Sequence, residues 1–371
     1  MVPFSVAPKI ALYQEFVYFA KEFELGKEDL LITNEFIYEA GMDKLNLECS
    51  IIFQEKFGKG EPSNQMMDGI LAEARSKSFK RVVAVGGGSV LDVAKLLVLA
   101  GNASTLEYFD RQVPLKKEKE LILIPTTCGT GSEMTNITIM EIVEQKTKKG
   151  LADPELYADV AVLIPGLLSS LPYSVFATSS IDALVHATES FVSPNANVFT
   201  ELFSVKAIEM IVRAYQEIAV KGKEARISYM EDFLIASAYA GISFGNAGVG
   251  AVHAMSYPLG GIYHVPHGEA NQQMFTTVFK MYQKVQPTGK IQQLEAQLAG
   301  LLNVPTTRVW EAFDELLEVV LPKKPLREYG MMEEDIVGFT ESVIVNQQRL
   351  LKNNYAPLTK EQMIEIYRSL Y

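Results

Sequence analysis

The sequence holds only two cysteines, Cys49 and Cys128, among its 371 residues. So few exclude a disulfide framework and suit a reducing cytosol. Cys128 lies in a threonine- and glycine-rich loop with no base motif beside it, and reads as a small loop residue rather than a nucleophile. No window approaches the ~20 consecutive apolar residues of a membrane span. The opening stretch MVPFSVAPKIALYQEF has no basic region followed by a long apolar run, so no signal peptide is expected and the chain is expected in the cytoplasm. Positive charge is short as well. With 34 Lys and Arg against 45 Asp and Glu, the net charge is −11, which argues against nucleic acid or an anionic membrane as partner. A small-molecule substrate is expected, with room for a local basic pocket around an anionic cofactor. Internal repeats and low-complexity tracts are absent.

Histidine is nearly missing too, and its placement is informative. The four present are His186, His253, His264 and His267. Asp182 and His186 sit four apart in IDALVHATES, a run with the apolar period of a buried helix. That spacing puts both side chains on one helical face, one turn apart. His253 opens HAMSYPLGG, and His267 follows Pro266 in YHVPHGEAN. One carboxylate with three imidazoles suits a divalent transition metal, Fe(II) or Zn(II), and is too rich in nitrogen for Ca(II) or Mg(II). A plainer account makes His186 a satisfied core residue and Asp182, near Ser179 and Ser180, a helix cap. The clustering of every histidine in one region favours the ion.

At this length, with 48% hydrophobic and 21% charged residues, the chain exceeds one comfortable core, and two domains are expected. DLLIT (29–33), CSIIF (49–53), RVVAV (81–85) and LILIP (121–125) are short β-rich runs. They alternate with helix-like segments at 36–47 and 63–78, the latter led in by Pro62 and capped by Ser63. This cadence predicts a largely parallel sheet covered on both faces. TNITIMEIV and DVAVLIP (159–165) add strands. Beyond Pro165 and Pro172 the texture changes to amphipathic stretches at 199–220, 227–244, 290–302, 308–320, 333–351 and 359–370. The boundary falls near 165–172, giving an α/β domain over 1–168 and an all-helical domain over 169–371.

RVVAVGGGSVLDVAK runs a buried strand into Gly86, Gly87, Gly88 and Ser89, then into a helix starting near Val90. Glycines let backbone amides approach a ligand, and a helix N-terminus favours phosphate. The loop is not a G-x-G-x-x-G fingerprint, and Ser89 with Asp92 also fits an S-x-x-D cap. A bare strand-to-helix turn would need fewer glycines, so a pyrophosphate is expected there. After LILI, the loop PTTCGTGSEMTN offers the hydroxyls of Thr126, Thr127, Thr130 and Ser132. It lies at the carboxyl end of a second predicted strand, the edge where open α/β sheets bind ligands. The alternative is a loop that caps the segment after Glu133.

GGGSVLDVAK, PTTCGTGSE, DALVHATES and HAMSYPLGGIYHVPHGEAN resemble, in order and spacing, the motifs of the iron-containing (group III) alcohol dehydrogenases, over essentially the whole chain. The resemblance implies a dehydroquinate-synthase-like fold: an α/β N-terminal nucleotide-binding domain with a parallel sheet, and an all-α C-terminal metal-binding domain. It implies metal ligands at Asp182, His186, His253 and His267, holding Fe(II) or alternatively Zn(II). It places the pyrophosphate loop at Gly86, Gly87, Gly88 and Ser89, with Asp92 on the same helix and further cofactor contacts at Thr126, Thr127, Thr130 and Lys149. Where NAD-preferring relatives often carry an aspartate, this chain has Asn34 followed by Glu35. NAD is the expected cofactor and NADP the alternative. Where many relatives carry another histidine four residues after the third ligand, this chain has Tyr257. A phenol with a pKa near ~10 shuttles protons less well than an imidazole near ~6.5. Either Tyr257 is a pocket wall or hydrogen-bond donor, or His264 supplies the relay. Homo-oligomers are common in the family.

Through the tail NQQRLLKNNYAPLT, the resemblance extends to members that reversibly oxidise 4-hydroxybutyrate to succinic semialdehyde. The distal carboxylate of such a substrate needs a cation or several donors. Arg349 and Lys352 are candidates, as are Tyr257 and His264; plain surface charge is the simpler account of Lys352. A dehydrogenase of simple alcohols or diols, such as butanol or propanediol, shares every motif. A metal-dependent lyase or synthase of the dehydroquinate synthase kind needs a basic phosphate-binding cluster, and no Lys or Arg occurs at 182–191 or 250–270.

Overall fold

The computed structural model describes residues 4–58, 60–145 and 147–371. The chain separates into two compact units, Val6–Leu171 and Pro172–Tyr371. Ser5 belongs with the second: its amide donates to Asn246 Oδ1 at 2.9 Å, and Asn246 Nδ2 donates back to its carbonyl at 3.0 Å.

The first unit is built on β1 (Lys9–Leu12), β2 (Asp29–Thr33), β3 (Ser50–Phe53), β4 (Arg81–Gly86), β5 (Glu120–Pro125), β6 (Ile137–Ile142), β7 (Thr147–Ala152) and β8 (Val160–Leu163). Six of them form one sheet in the order β1-β8-β5-β4-β2-β3, and every pairing in it is parallel. Alternation along the strands splits the core in two. Leu30, Ile32, Val82, Ala84, Leu121 and Leu123 face the helices Asn64–Arg75 and Gly88–Leu97. Leu31, Val83, Val85, Ile122, Ile124 and Val162 face Phe16, Phe19 and Ala20. Strands buried on both sides have no solvent face to make polar, which is why they read as unbroken apolar runs.

The strand order also locates the ligand edge. From β2 the chain moves outward to β3, returns across β2 to β4, then moves outward the other way through β5. The reversal lies between β2 and β4, and the crevice outside such a switch point is where doubly wound sheets bind nucleotides. Thr33 pairs with Val85 and Gly86 with Pro125, so Asn34, Gly87 and Thr126 leave three adjacent strands side by side.

Some expectations differ from the fold. TNITIMEIV does not join the main sheet; β6 pairs antiparallel with β7 as a separate ribbon. β1 was not expected from sequence, because it is a four-residue edge strand with Lys9, Ile10 and Leu12 exposed and so lacks the apolar signature. The helix expected over 36–47 is a chain of short turns, broken at Gly41 and closed by Asn46 in the left-handed region at φ 48°.

The second unit is helical. Its principal helices are Tyr173–Val192, Val198–Lys221, Met230–Ala247, Ala251–Tyr263, His267–Val285, Lys290–Leu302, Val309–Val320, Asp335–Asn346 and Lys360–Leu370. The amphipathic stretch at 333–351 is two helices, Gln348–Leu351 following a break at Gln347. Among the described residues, no single helix is long and apolar enough to cross a membrane.

Candidate functional site

Asp182 lies in the middle of the Tyr173–Val192 helix, so it is not a cap. The side chains of Asp182 and His186 lie side by side on that helix, with His186 Nδ1 3.8 Å from Asp182 Oδ2. His253 comes from the first turn of the Ala251–Tyr263 helix, and its Nε2 is 3.5 Å from Asp182 Oδ1. His267 opens the His267–Val285 helix, and its Nε2 is 3.6 Å from the same oxygen. Asp182, His186 and His253 are buried and offer ligand atoms within 4.8 Å of one another; His267 is partly exposed. The rings are packed as well: His186 stacks on Phe244 at 4.1 Å and on His253 at 4.6 Å between centroids. Three helices therefore bring together Asp182, His186, His253 and His267, the four ligands that the resemblance implies.

Local sequence explains the approach. Helices this close need a residue without a side chain at the crossing, and Gly268 supplies it. A Cβ there would lie 1.9 Å from the carbonyl oxygen of Thr178.

Asn271, one turn beyond His267, reports on the donor set. Its Nδ2 donates to Asp182 Oδ1 at 2.8 Å and lies 3.3 Å from both His253 Nε2 and His267 Nε2. Three acceptor atoms from three helices thus converge on one point. Asn271 Oδ1 is buried and has no hydrogen-bond partner among the described residues. Convergent lone pairs on one carboxylate and several imidazoles fit a divalent transition ion. Burial pushes the Asp182 carboxyl up, but His186, His267 and His253 outweigh it and hold it well below the usual carboxylate range. Burial lowers His253, but hydrogen bonds to Asp182 and Glu189 outweigh it and push the imidazole up to about 9. Glu189, on the same helix as Asp182, was not anticipated. Its place in HATES, three after His186 and seven after Asp182, was the available signal.

Tyr257 is half-buried, with its ring 5.9 Å from that of His267. His264 is exposed and ends its helix in the left-handed region at φ 54°. Arg349 is exposed on the Gln348–Leu351 helix. The structure draws neither His264 nor Arg349 into the buried cluster.

In the first unit the Gly88–Leu97 helix begins directly after β4, and no side chain caps it. Gly87 is its N-cap, so the S-x-x-D cap does not form; Ser89 Oγ donates instead to Gly60 O at 3.1 Å. The glycines also serve packing. A Cβ on Gly86 would lie 2.6 Å from Val90 Cβ, and one on Gly88 would lie 2.7 Å from Thr130 Cγ2. The threonine loop is thus pressed against the glycine loop, and Thr126 N donates to Gly86 O at 3.0 Å. Thr126 is buried, while Thr127 and Thr130 are half-buried.

Asp92 is buried, and its carboxylate accepts from Ser132 Oγ at 2.5 Å and Ile139 N at 2.8 Å. Lys95, fully buried, donates to Ser132 Oγ at 2.6 Å and Ile137 O at 2.5 Å, with its ammonium 3.6 Å from Asp92. This network ties the glycine-loop helix to the loop that carries the threonines. Sequence reasoning gave Lys95 no role. Asn34 donates to Gln54 Oε1 at 3.0 Å and Glu55 Oε2 at 3.1 Å. Lys149, on the β6–β7 ribbon, pairs with Asp110.

Known proteins resemble this chain in sequence and in fold. The model for the C-terminal part of the Fe-containing alcohol dehydrogenase family matches residues 176–371, and that for iron-containing alcohol dehydrogenase matches residues 14–165. The chain is 50% identical over 367 residues to 4-hydroxybutyrate dehydrogenase of Clostridium kluyveri, covering 99% of each. It superposes on sulfoacetaldehyde reductase from Bifidobacterium kashiwanohense in complex with NAD+ with a TM-score of 0.86 at 22% identity, covering 100% of this chain and 98% of that one. A 1,3-propanediol oxidoreductase gives 0.86 at 23% identity, with both chains fully covered. The metal-ligand motifs lie in one matched region and the glycine loop in the other, and the likeness runs the full length: this chain belongs to the iron-containing alcohol dehydrogenase family.

Proposed function

We propose that this chain reversibly oxidises 4-hydroxybutyrate to succinic semialdehyde with NAD as hydride acceptor, and that Asp182, His186, His253 and His267 hold a divalent ion, Fe(II) or alternatively Zn(II). The observation that carries the chemistry is the convergence of Asp182 Oδ1, His253 Nε2 and His267 Nε2 on one point. The substrate rests on the 50% identity, over the full length, with 4-hydroxybutyrate dehydrogenase of C. kluyveri. When bound, the ion supplies Lewis acidity toward an alcohol oxygen, and the nicotinamide supplies the hydride acceptor.

The chain's own residues do the rest. The Gly86–Ser89 turn presents backbone amides at an uncapped helix N-terminus, where a pyrophosphate is favoured. Thr126, Thr127 and Thr130 wall that turn on the β5 side, and Asn34 stands at the end of β2 on the other. Asp92 and Lys95 hold the two loops in register from beneath. Phe244 stacked on His186 keeps water from one side of the ion site. Tyr257, with its ring 5.9 Å from that of His267, serves as a pocket wall or hydrogen-bond donor. Arg349, exposed on the tail helix, is the proposed partner for the substrate carboxylate.

The test is to compare kcat/KM for 4-hydroxybutyrate with that for 1-butanol, which lacks the carboxylate. A site built to pair a polar group rejects its absence by orders of magnitude. Equal values overturn the assignment and leave a dehydrogenase of simple alcohols. Loss of the preference in Arg349→Ala, with 1-butanol turnover retained, supports that residue.

A further inference from the structure

We infer that Glu189 is a positioning residue: it fixes the tautomer and ring orientation of His253, so that Nε2 and not Nδ1 is delivered to the ion. This rests on the metal-site reading above. Glu189 is 2% exposed, and its two oxygens are separately engaged. Oε1 accepts from the backbone amide of Val252 at 2.7 Å, and Oε2 is 2.7 Å from His253 Nδ1. An ionised carboxylate is acceptor-only, so the hydrogen bond to Nδ1 requires a proton on that nitrogen. In the neutral ring the lone pair must then lie on Nε2, the atom 3.5 Å from Asp182 Oδ1 and 3.3 Å from Asn271 Nδ2. The choice of ligating nitrogen follows from the bond the other nitrogen makes.

The surroundings hold the carboxylate in place. Val252 and His253 are successive residues in the first turn of their helix, so two bonds from one carboxylate fix both the helix start and the ring. A Cβ on Gly250 would lie 3.4 Å from Glu189 Oε1 and 2.9 Å from Asn354 Oδ1, so the chain leading into that helix approaches without a side chain. Gln at 189 puts an NH2 donor in place of one of the two oxygens, so in the same pose either Val252 N or His253 Nδ1 loses its acceptor.

The experiment is zinc affinity by chelator competition on the full chain, with the ring nitrogens of its four histidines followed by ¹⁵N NMR in the zinc-loaded protein. The expected result is zinc on His253 Nε2 with a retained Nδ1 proton, and an affinity 10–100-fold weaker in Glu189→Gln. A glutamate that merely stabilised the fold would lower the melting temperature and leave the zinc constant of the folded protein unchanged. Zinc on His253 Nδ1, or an unaltered constant in Glu189→Gln, overturns the inference. Should that variant fail to fold, the wild-type spectrum alone decides it. Wild-type protein that binds neither zinc nor Fe(II) overturns the metal-site reading itself, a result distinct from binding through the wrong nitrogen.

Discussion

A Cβ on Gly268 would stand 1.9 Å from the carbonyl oxygen of Thr178, so the helix that delivers His267 meets the helix that delivers Asp182 backbone to backbone. The clash is with main chain, which cannot rotate away. Gly268→Ala must push the two helices apart, at a cost of about 1–3 kcal/mol or more, and must draw His267 off the cluster. A thermal melt and elemental analysis check this: the melting temperature falls, and bound ion drops well below that of the wild type. Full ion content in a folded Gly268→Ala protein contradicts the account.

Gly88 poses a milder case, since its notional Cβ meets the Thr130 side chain at 2.7 Å. Gly88→Ala is expected to weaken NADH binding about tenfold, about 1.4 kcal/mol, by moving the threonine loop. Ion content should stay unchanged, because the ligands belong to the other unit. Gly88→Ala with Thr130→Ser removes the offending methyl and should recover part of the loss. Fluorescence titration of NADH reads the wild type, both single variants and the double variant, and strict additivity of the two substitutions contradicts the contact.

Glu133 gives the stability of the first unit a pH dependence. It is 1% exposed, its side-chain oxygens find no hydrogen-bond partner on another residue among the described residues, and burial outweighs its own backbone amide and the Lys95 ammonium to push its carboxyl up to about 7. A folded value above the unfolded one of 4.5 means the native state binds the proton more tightly. This contribution is fully present below pH 4.5 and is lost as the pH rises through about 7. Glu133→Gln, which mimics the protonated group, should match wild type in urea unfolding below that window and exceed it above pH 7. Parallel stability profiles for the two proteins contradict the assignment.

Legibility followed sequence distance. Asp182 and His186 could be paired from their spacing alone, and β2, β4 and β5 announced themselves as apolar runs because the sheet buries both faces. Residues whose meaning depends on a distant partner were silent. Glu189 reads as an ordinary helix glutamate until Val252 and His253 fold onto it. Lys95, in DVAKLL, looks solvated, yet Asp92, Ser132 and Ile137 bury it completely. Gly268 seems only to follow a histidine until Thr178 is brought against it. In β1 the apolar signal is faint because an edge strand leaves Ile10 and Leu12 in water.

The central claim is that one ion is shared by Asp182, His186, His253 and His267. Anomalous diffraction at the absorption edge of the loaded metal measures this directly. The account predicts one strong peak at about 2.0–2.2 Å from a carboxylate oxygen of Asp182 and from one nitrogen of each of the three histidines. A peak that leaves any of these four uncoordinated, or no peak among them in metal-loaded crystals, contradicts it.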